Sequence, residues 1–505
     1  MRILLATAVA IAPLMAAAGV QAQSTSETVI STARTTPIST STATGTAPDN
    51  IRFASGGTIT VASGTAVTVD SSHSIDMDAG SSIKMDKSAD GSTGILVQGG
   101  NTANVTVGGS IDISDSITEY TDTDKDGDLD GPFADGQNRY GVRVTGTSPL
   151  TGDVKIESGG SIKIEGNNSA GLSIEAPLTG DLTSLGTISV LGSNTYGIHV
   201  TGPVTGDVAV LGSIASQGEN AVGVALDGDV QGAVKIQGAI SSTGYRYTTP
   251  PGATPTSGTI KPETLYLEDL DDDDLLQGGS AVRIAGSVTE GVLFDTAPSY
   301  GSSGIEGDDD GDGVKNGDED DDGDGVKNRE DTDRDGDGVL DTLEGVATIK
   351  TFGGAPAVMI GSATNATTIG AVGVGDEAYG VINRGSIEGV GVYSGTDAHG
   401  LQIGGLGQSV TVAGGIYNKG TIGASALNAN STAVLLGDGA AAPAIVNTGT
   451  IQASAASTGE HVVTGVLIES GASVSSFNNS GQVTAAVSGS KTDAVAFRDD
   501  SGTLT

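Results

Sequence analysis

Residues 308–344 carry three acidic loops in succession: DDDGDGVKNGDE, DDDGDGVKNRED and, after Thr332, DRDGDGVLDTLE. Carboxylates at alternate positions followed by a glycine set hard oxygen ligands around a tight turn, the arrangement that calcium coordination requires. In the first loop, positions 1, 3, 5, 9 and 12 are Asp308, Asp310, Asp312, Asn316 and Glu319, with Gly313 at position 6. In the second they are Asp320, Asp322, Asp324, Asn328 and Asp331, with Gly325. In the third they are Asp333, Asp335, Asp337, Asp341 and Glu344, with Gly338. Position 7 supplies only a backbone carbonyl, here that of Val314, Val326 or Val339. The second loop has Asp331 at position 12 and Glu330 one place early, so its bidentate ligand is displaced and weaker binding is expected. A further loop start, Asp122, Asp124, Asp126, Asp128 and Asp130 around Gly127, meets Phe133 at position 12 and lacks the closing acid.

These loops sit in a chain of net charge −39. Residues 308–344 hold 14 Asp and 3 Glu against Lys315, Lys327, Arg329 and Arg334, which leaves 13 negative charges in one segment. Such a chain repels nucleic acid and anionic membrane surfaces. A plain acidic run is a solvated tail, but the glycines and fixed oxygen spacing point to cations.

The elements that must position the loops are read from the rest of the chain. Arg2, the apolar run Ile3–Val20 and Val20-Gln-Ala22 have the form of a secretory signal over residues 1–22. Residues 23–50 are Ser/Thr-rich and read as a flexible lead-in. The chain has no cysteine, so packing, hydrogen bonds or bound ions must hold it outside the cell. With 3% aromatic residues and no Trp, a globular core of large side chains is excluded.

From residue 51 a repeat emerges. Gly160-Ser-Ile162, Gly186-Thr-Ile188, Gly212-Ser-Ile214 and Gly238-Ala-Ile240 lie 26 residues apart. Each period holds three short alternating segments, such as SIKIEG, AGLSIEA and TGDLTSLG. Period-two apolar patterning bounded by Gly, Asn and Ser signals strands. Strands this short, without helical crossovers, fit a coil with one strand per face, each paired in parallel one repeat later. The expected fold is therefore an all-β parallel β-helix, a solenoid with irregular acidic loop insertions. Later coils are marked by Asn383-Arg-Gly-Ser-Ile387, Asn418-Lys-Gly-Thr-Ile422, Asn447-Thr-Gly-Thr-Ile451 and Asn479-Ser-Gly-Gln-Val483. Counting from about residue 57 gives roughly 12 coils, a rod on the order of 60 Å long at ~4.8 Å per rung.

The repeated Asn-x-Gly-[Thr/Ser]-Ile motif in an exported, cysteine-free chain resembles the passenger region of bacterial autotransporters over about residues 50–505. The resemblance implies a β-helix exported through an outer-membrane β-barrel. The sequence ends at Ser501-Gly-Thr-Leu-Thr505 within what reads as an unfinished coil, so the barrel is expected in cis from a longer chain or in trans from another protein. The acidic loops independently resemble bacterial thrombospondin type 3 repeats (DxDGDGVxN), which implies calcium as the bound ion.

Insertions interrupt the coils at about 115–138, 243–278 and 298–346, so that solenoid occupies 51–297 and 347–505 around the calcium segment. Aligned on the strands, the first two leave one corner and the third a neighbouring corner. The acidic run Asp269–Asp274 lacks glycine-broken ligand spacing and reads as a solvated loop. His73, His199, His399 and His461 are scattered and read as surface residues, and no thiol nucleophile is available. Together these features predict a non-enzymatic, exported surface solenoid, an adhesin or spacer whose loops calcium orders. Its expected partners are calcium ions, a host or neighbouring-cell surface, glycan or matrix, and the export barrel. A β-helical polysaccharide lyase or hydrolase is the enzyme alternative, disfavoured by few aromatic and basic residues. A calcium-crosslinked surface-layer or matrix protein is the third reading.

Overall fold

The computed structural model describes residues 27–115, 131–256, 264–336, 338–373, 378–489 and 493–505. The signal segment 1–22 and Asp122, Asp124, Asp126, Asp128, Asp130 and Asp337 lie outside the described residues. Alternating Val, Ile and Thr fold the chain into a succession of short strands, and strands pair in parallel with their counterparts one turn later. Three faces result, the second and third each a sheet of 13 strands, so 13 rungs are stacked among the described residues. This is the expected parallel β-helix. No helix among the described residues is long and apolar enough to cross a membrane, which says nothing of strands.

The inward residues form columns along the rod. On the second face, Ile111, Ile162, Ile188, Ile214, Ile240, Ile349, Ile387, Ile422 and Ile451 stack in unbroken register. All are at most 1% exposed, so each contributes about 1.5–3 kcal/mol of apolar burial. On the first face, Ile156, Ser184, Val210, Ile236 and Phe294 lead into Asn383, Asn418, Asn447 and Asn479. There the Nδ2 of each Asn donates to the Oδ1 of the next at 2.7, 2.7 and 2.6 Å. The Asn motif read from the sequence is thus an internal amide ladder.

Close stacking sets the corners. A Cβ on Gly186, Gly212 or Gly238 would lie 2.3, 2.0 or 1.9 Å from the carbonyl oxygen of the equivalent glycine one rung below, so only glycine permits this spacing. Asn168, Asn194 and Asn220 turn the next corner with φ of 51, 55 and 56°.

Two expectations are revised. Residue 27, the first described, is already in the coil, inside the segment read as a flexible lead-in: Glu27–Ile30 pairs with Asn50–Phe53, and Ile30 and Ile38 are buried. The few apolar residues there suffice because the rung above covers them. The coil also has a short fourth segment between the third and first faces, where Leu150, Leu178, Val204, Val230, Val288 and Ile369 form their own buried column. Beside it, carboxylates of Asp153, Asp181 and Asp207 each accept a backbone N–H from the following rung at 3.0, 2.9 and 2.9 Å.

The insertions leave where the strand alignment places them. The first lies between Ser110–Ile113 and Tyr140–Thr145, and the second between Ala239–Thr243 and Val282–Ile284, both at the corner between the second and third faces. The third lies between Val292–Phe294 and Thr348–Phe352, at the neighbouring corner.

Candidate metal centre

The acidic loops are shaped by their own backbone. Gly311 and Gly313 take φ of 79 and 94°, Gly323 and Gly325 take 79 and 95°, and the chain curls around the first carboxylate. Asp308 accepts the Gly311 and Gly313 N–H groups at 2.7 and 3.0 Å. Asp320 accepts those of Gly323 and Gly325 at 2.9 and 3.0 Å, and in the third loop Asp333 accepts that of Gly338 at 3.0 Å. The curl gathers Asp308, Asp310 and Asp312, and separately Asp320, Asp322 and Asp324, with oxygens all within 4.8 Å of one another. Oxygens bound to a single calcium at 2.3–2.6 Å stand at most about 5 Å apart, so each trio has the size of one ion.

In both loops the position-12 carboxylate and the trio feel one another's charge. Burial and then the Asp310, Asp321, Asp312 and Asp308 carboxylates hold the Glu319 carboxyl above its usual range. For Asp322, the Asp324 amide acts to lower the value, but burial and the Asp324 and Asp331 carboxylates outweigh it and raise it. Both shifts report like charges crowded together, a condition that a bound cation relieves.

Position 9 has another use. Asn316 and Asn328 are buried, each accepting the position-2 amide, from Asp309 at 3.0 Å and Asp321 at 3.1 Å. The Asn328 Nδ2 donates to the Asn316 carbonyl at 2.8 Å, chaining one loop to the next. Asp341 accepts the Arg334 amide at 3.0 Å and pairs with its Nε at 2.5 Å. These three expected ligands close the loops. Val314 and Val326 expose their side chains, whereas Val339 is buried, because the third loop lies against the solenoid. Oδ2 of Asp331 and Oδ1 of Asp333 are shielded from solvent without a hydrogen-bond donor among the described residues. Shielded carboxylate oxygens of this kind fit a cation. If bound there, calcium would supply positive charge and accept carboxylate and carbonyl oxygens.

The second insertion is more than a solvated loop. Its Asp273 and Asp274 pair with Arg246, whose guanidinium also reaches the Gly131 carbonyl in the first insertion and covers Phe133 at 5.1 Å. Tyr245 donates to the Gly391 carbonyl at 2.9 Å, and Tyr393 donates to that of Tyr247 at 2.7 Å. Burial, with Asp274, Tyr245 and Tyr247 nearby, pushes the Tyr393 hydroxyl up to about 12, so it stays a donor. At the base of the first insertion, Arg139 (1% exposed) meets the buried Asp115 at 3.0 Å, and Asp115 also accepts the Asp135 and Gly136 amides.

An outward cluster on the third face was missed in the sequence. His199 stacks on Tyr196 with centroids 3.9 Å apart and meets Asp227 at 2.9 Å, and Arg283 forks onto the same carboxylate at 3.2 and 2.8 Å. His199, Ala225 and Arg283 share one outward column, which the 26-residue period reveals only after the second insertion is removed from the count. His399 is half-buried, and burial lowers its imidazole below the usual range despite Asp397. Burial alone would raise the Asp227 carboxyl, yet the His199 hydrogen bond and the Arg283 charge hold it below its usual range. A depressed carboxyl stabilises the fold above the unfolded-state value and loses that contribution as pH falls through the folded one. Asp227→Asn is therefore expected to be less stable than wild type at neutral pH. The gap should close in acid, as followed by urea unfolding across pH. A gap independent of pH would show that the charge has no part in it.

Comparison of the chain with protein-family models, curated proteins and solved structures finds no match.

Proposed function

We propose that this chain is an exported, cell-surface β-solenoid that acts as an adhesin or structural spacer, with calcium ordering the acidic insertion at 298–346. The observation that carries the reading is the pair of carboxylate trios, each within 4.8 Å, on an insertion that emerges from one corner of a rod with 13 rungs among the described residues. A rod sets the distance from the surface, and insertions confined to adjoining corners give it a distinct edge, as solenoids use for binding. The secretory-type N-terminus and the resemblance to autotransporter passengers support export, with the barrel in cis or in trans. The 13 net negative charges of residues 308–344 make the segment self-repelling without cations. Extracellular modules of this type bind calcium at ~10⁻⁴–10⁻³ M, so the loops would be empty in the cytoplasm and filled outside.

Limited proteolysis of the full chain tests this. Residues 298–346 are expected to be cut readily in chelator and to resist cutting at millimolar calcium, while cuts elsewhere stay unchanged. Equal cutting under both conditions would sink the calcium reading. Sedimentation in the same buffers should show a monomer throughout; calcium-driven association would instead favour the crosslinked matrix.

A further inference from the structure

We propose that the third face carries two equivalent platforms for a neutral, extended polysaccharide, one built on Tyr140 and one on Tyr196. This rests on the adhesin reading above and names a ligand for it. The inward residues of this face repeat at every rung, but the outward ones repeat at every second rung. Four successive segments read Tyr140-Gly-Val-Arg-Val-Thr145, Ala170-Gly-Leu-Ser-Ile-Glu175, Tyr196-Gly-Ile-His-Val-Thr201 and Val222-Gly-Val-Ala-Leu-Asp227. Pairing sets Tyr140, Ala170, Tyr196 and Val222 in one outward column and Arg143, Ser173, His199 and Ala225 in the next. Large side chains thus alternate with small ones, and a carboxylate closes each small rung. The core needs only the inward period, so the doubled period belongs to the surface.

Each large rung leans onto the next in the same way. Arg143 covers the Tyr140 ring at 4.2 Å and forks onto Glu175 at 2.7 and 3.0 Å. His199 stacks on Tyr196 at 3.9 Å and meets Asp227 at 2.9 Å. The small residues Ala170, Ser173, Val222 and Ala225 are covered, at most 4% exposed. The Arg143, Glu175 and Asp227 side chains stay open, at 34, 32 and 31%. Arg143 balances Glu175, and Arg283 balances Asp227 at 2.8 Å, so both platforms are neutral in a chain of net charge −39.

Neutrality and spacing select the ligand. With its charges already paired, neither platform offers a net attraction to a polyanion. Planar hydrogen-bonding groups beside a tyrosine suit a sugar, whose hydroxyls both donate and accept and whose C–H face rests against an aromatic ring. Two rungs at ~4.8 Å each set the platforms about 10 Å apart along the rod. In an extended β-1,4-linked chain each pyranose advances by about one rung and flips at each linkage, so equivalent faces recur at every second ring. Such a chain laid along the rod presents the same face to Tyr140 and to Tyr196.

Calorimetry of the full chain with cellohexaose, mannohexaose and N-acetylchitohexaose tests the inference. At least one hexasaccharide is expected to bind, and the matching disaccharide, which reaches one platform only, to bind at least about 10-fold more weakly. Tyr140→Ala and Tyr196→Ala should each weaken the hexasaccharide about 10-fold, whereas Tyr196→Phe should keep most of the affinity. Should an alanine variant fail to fold, the length dependence in wild type still decides. No binding of any hexasaccharide, no dependence on length, or binding that survives the double variant Tyr140→Ala/Tyr196→Ala overturns the platforms. Adhesion of the full chain to cells that persists in the double variant also overturns them and leaves the adhesin reading standing. Adhesion abolished by protease treatment of the cells, but not competed by any hexasaccharide, would make the partner a protein and overturn the polysaccharide. A wild type that adheres to no surface overturns the adhesin reading itself.

Discussion

Arg139→Met is expected to cost about 3–5 kcal/mol, because it leaves the Asp115 carboxylate buried without its cation. Two backbone amides still reach Asp115, but they cannot balance a full charge in a dry site. The double variant Arg139→Met/Asp115→Leu should recover most of the loss, since the penalty lies in the stranded charge. Rungs of a solenoid contact only their neighbours, so the damage should stay local. Hydrogen exchange is expected to quicken at the strands Ser82–Met85, Tyr140–Thr145 and Ser161–Glu165, and to stay unchanged at Thr450–Ser457. Uniform acceleration along the rod would refute a local role for the pair.

The second large effect is expected in the Asn ladder. Asn418→Leu removes the acceptor of Asn383 and the donor to Asn447, all three being fully buried. Two stranded polar groups at about 1–3 kcal/mol each predict a loss of about 2–6 kcal/mol in chemical denaturation. Asn418→Asp has nearly the same shape and separates shape from hydrogen bonding. An ionised carboxylate accepts from Asn383 but cannot donate to Asn447. Burial raises the folded-state value of such a carboxyl, so the penalty is absent below the unfolded value and grows as pH rises. Asn418→Asp should therefore approach wild type in acid and fall well below it at neutral pH. A penalty that does not change with pH would mean that the ladder is held by packing alone.

The fold was legible because its physics is periodic. The Gly-[Ser/Thr/Ala]-Ile anchors recur every 26 residues, and each coincides with the corner glycine and the first inward isoleucine of the second face. The Asn anchors were equally visible, but their spacing showed only that they recur; that they point inward and bond to one another depends on the first face. The fourth segment escaped notice because a pair such as Leu178-Thr179 is too short to alternate. Residues 27–49 were misread because a composition rich in Ser and Thr conceals a few well-placed Ile residues.

The candidate site was half legible. Alternating Asp and Gly led directly to the two trios. The position-9 side chains could not be read, since Asn316 and Asn328 suit either a ligand or a loop closure until their backbone partners are known. Nor could the sequence pair Arg384 with Asp295 and Asp335, because the residues are brought together only by stacking one rung on another.

The side chains that cross between the insertions bear on how the rod would respond to tension. A stack of this kind, pulled from its ends, peels away one turn at a time, each turn yielding at a modest force. Arg246 fastens to Gly131 on one side, and Tyr245 fastens to Gly391 on the other. The turns between those anchor points therefore cannot peel singly, and the middle of the molecule should yield as one block, at a higher force than either end.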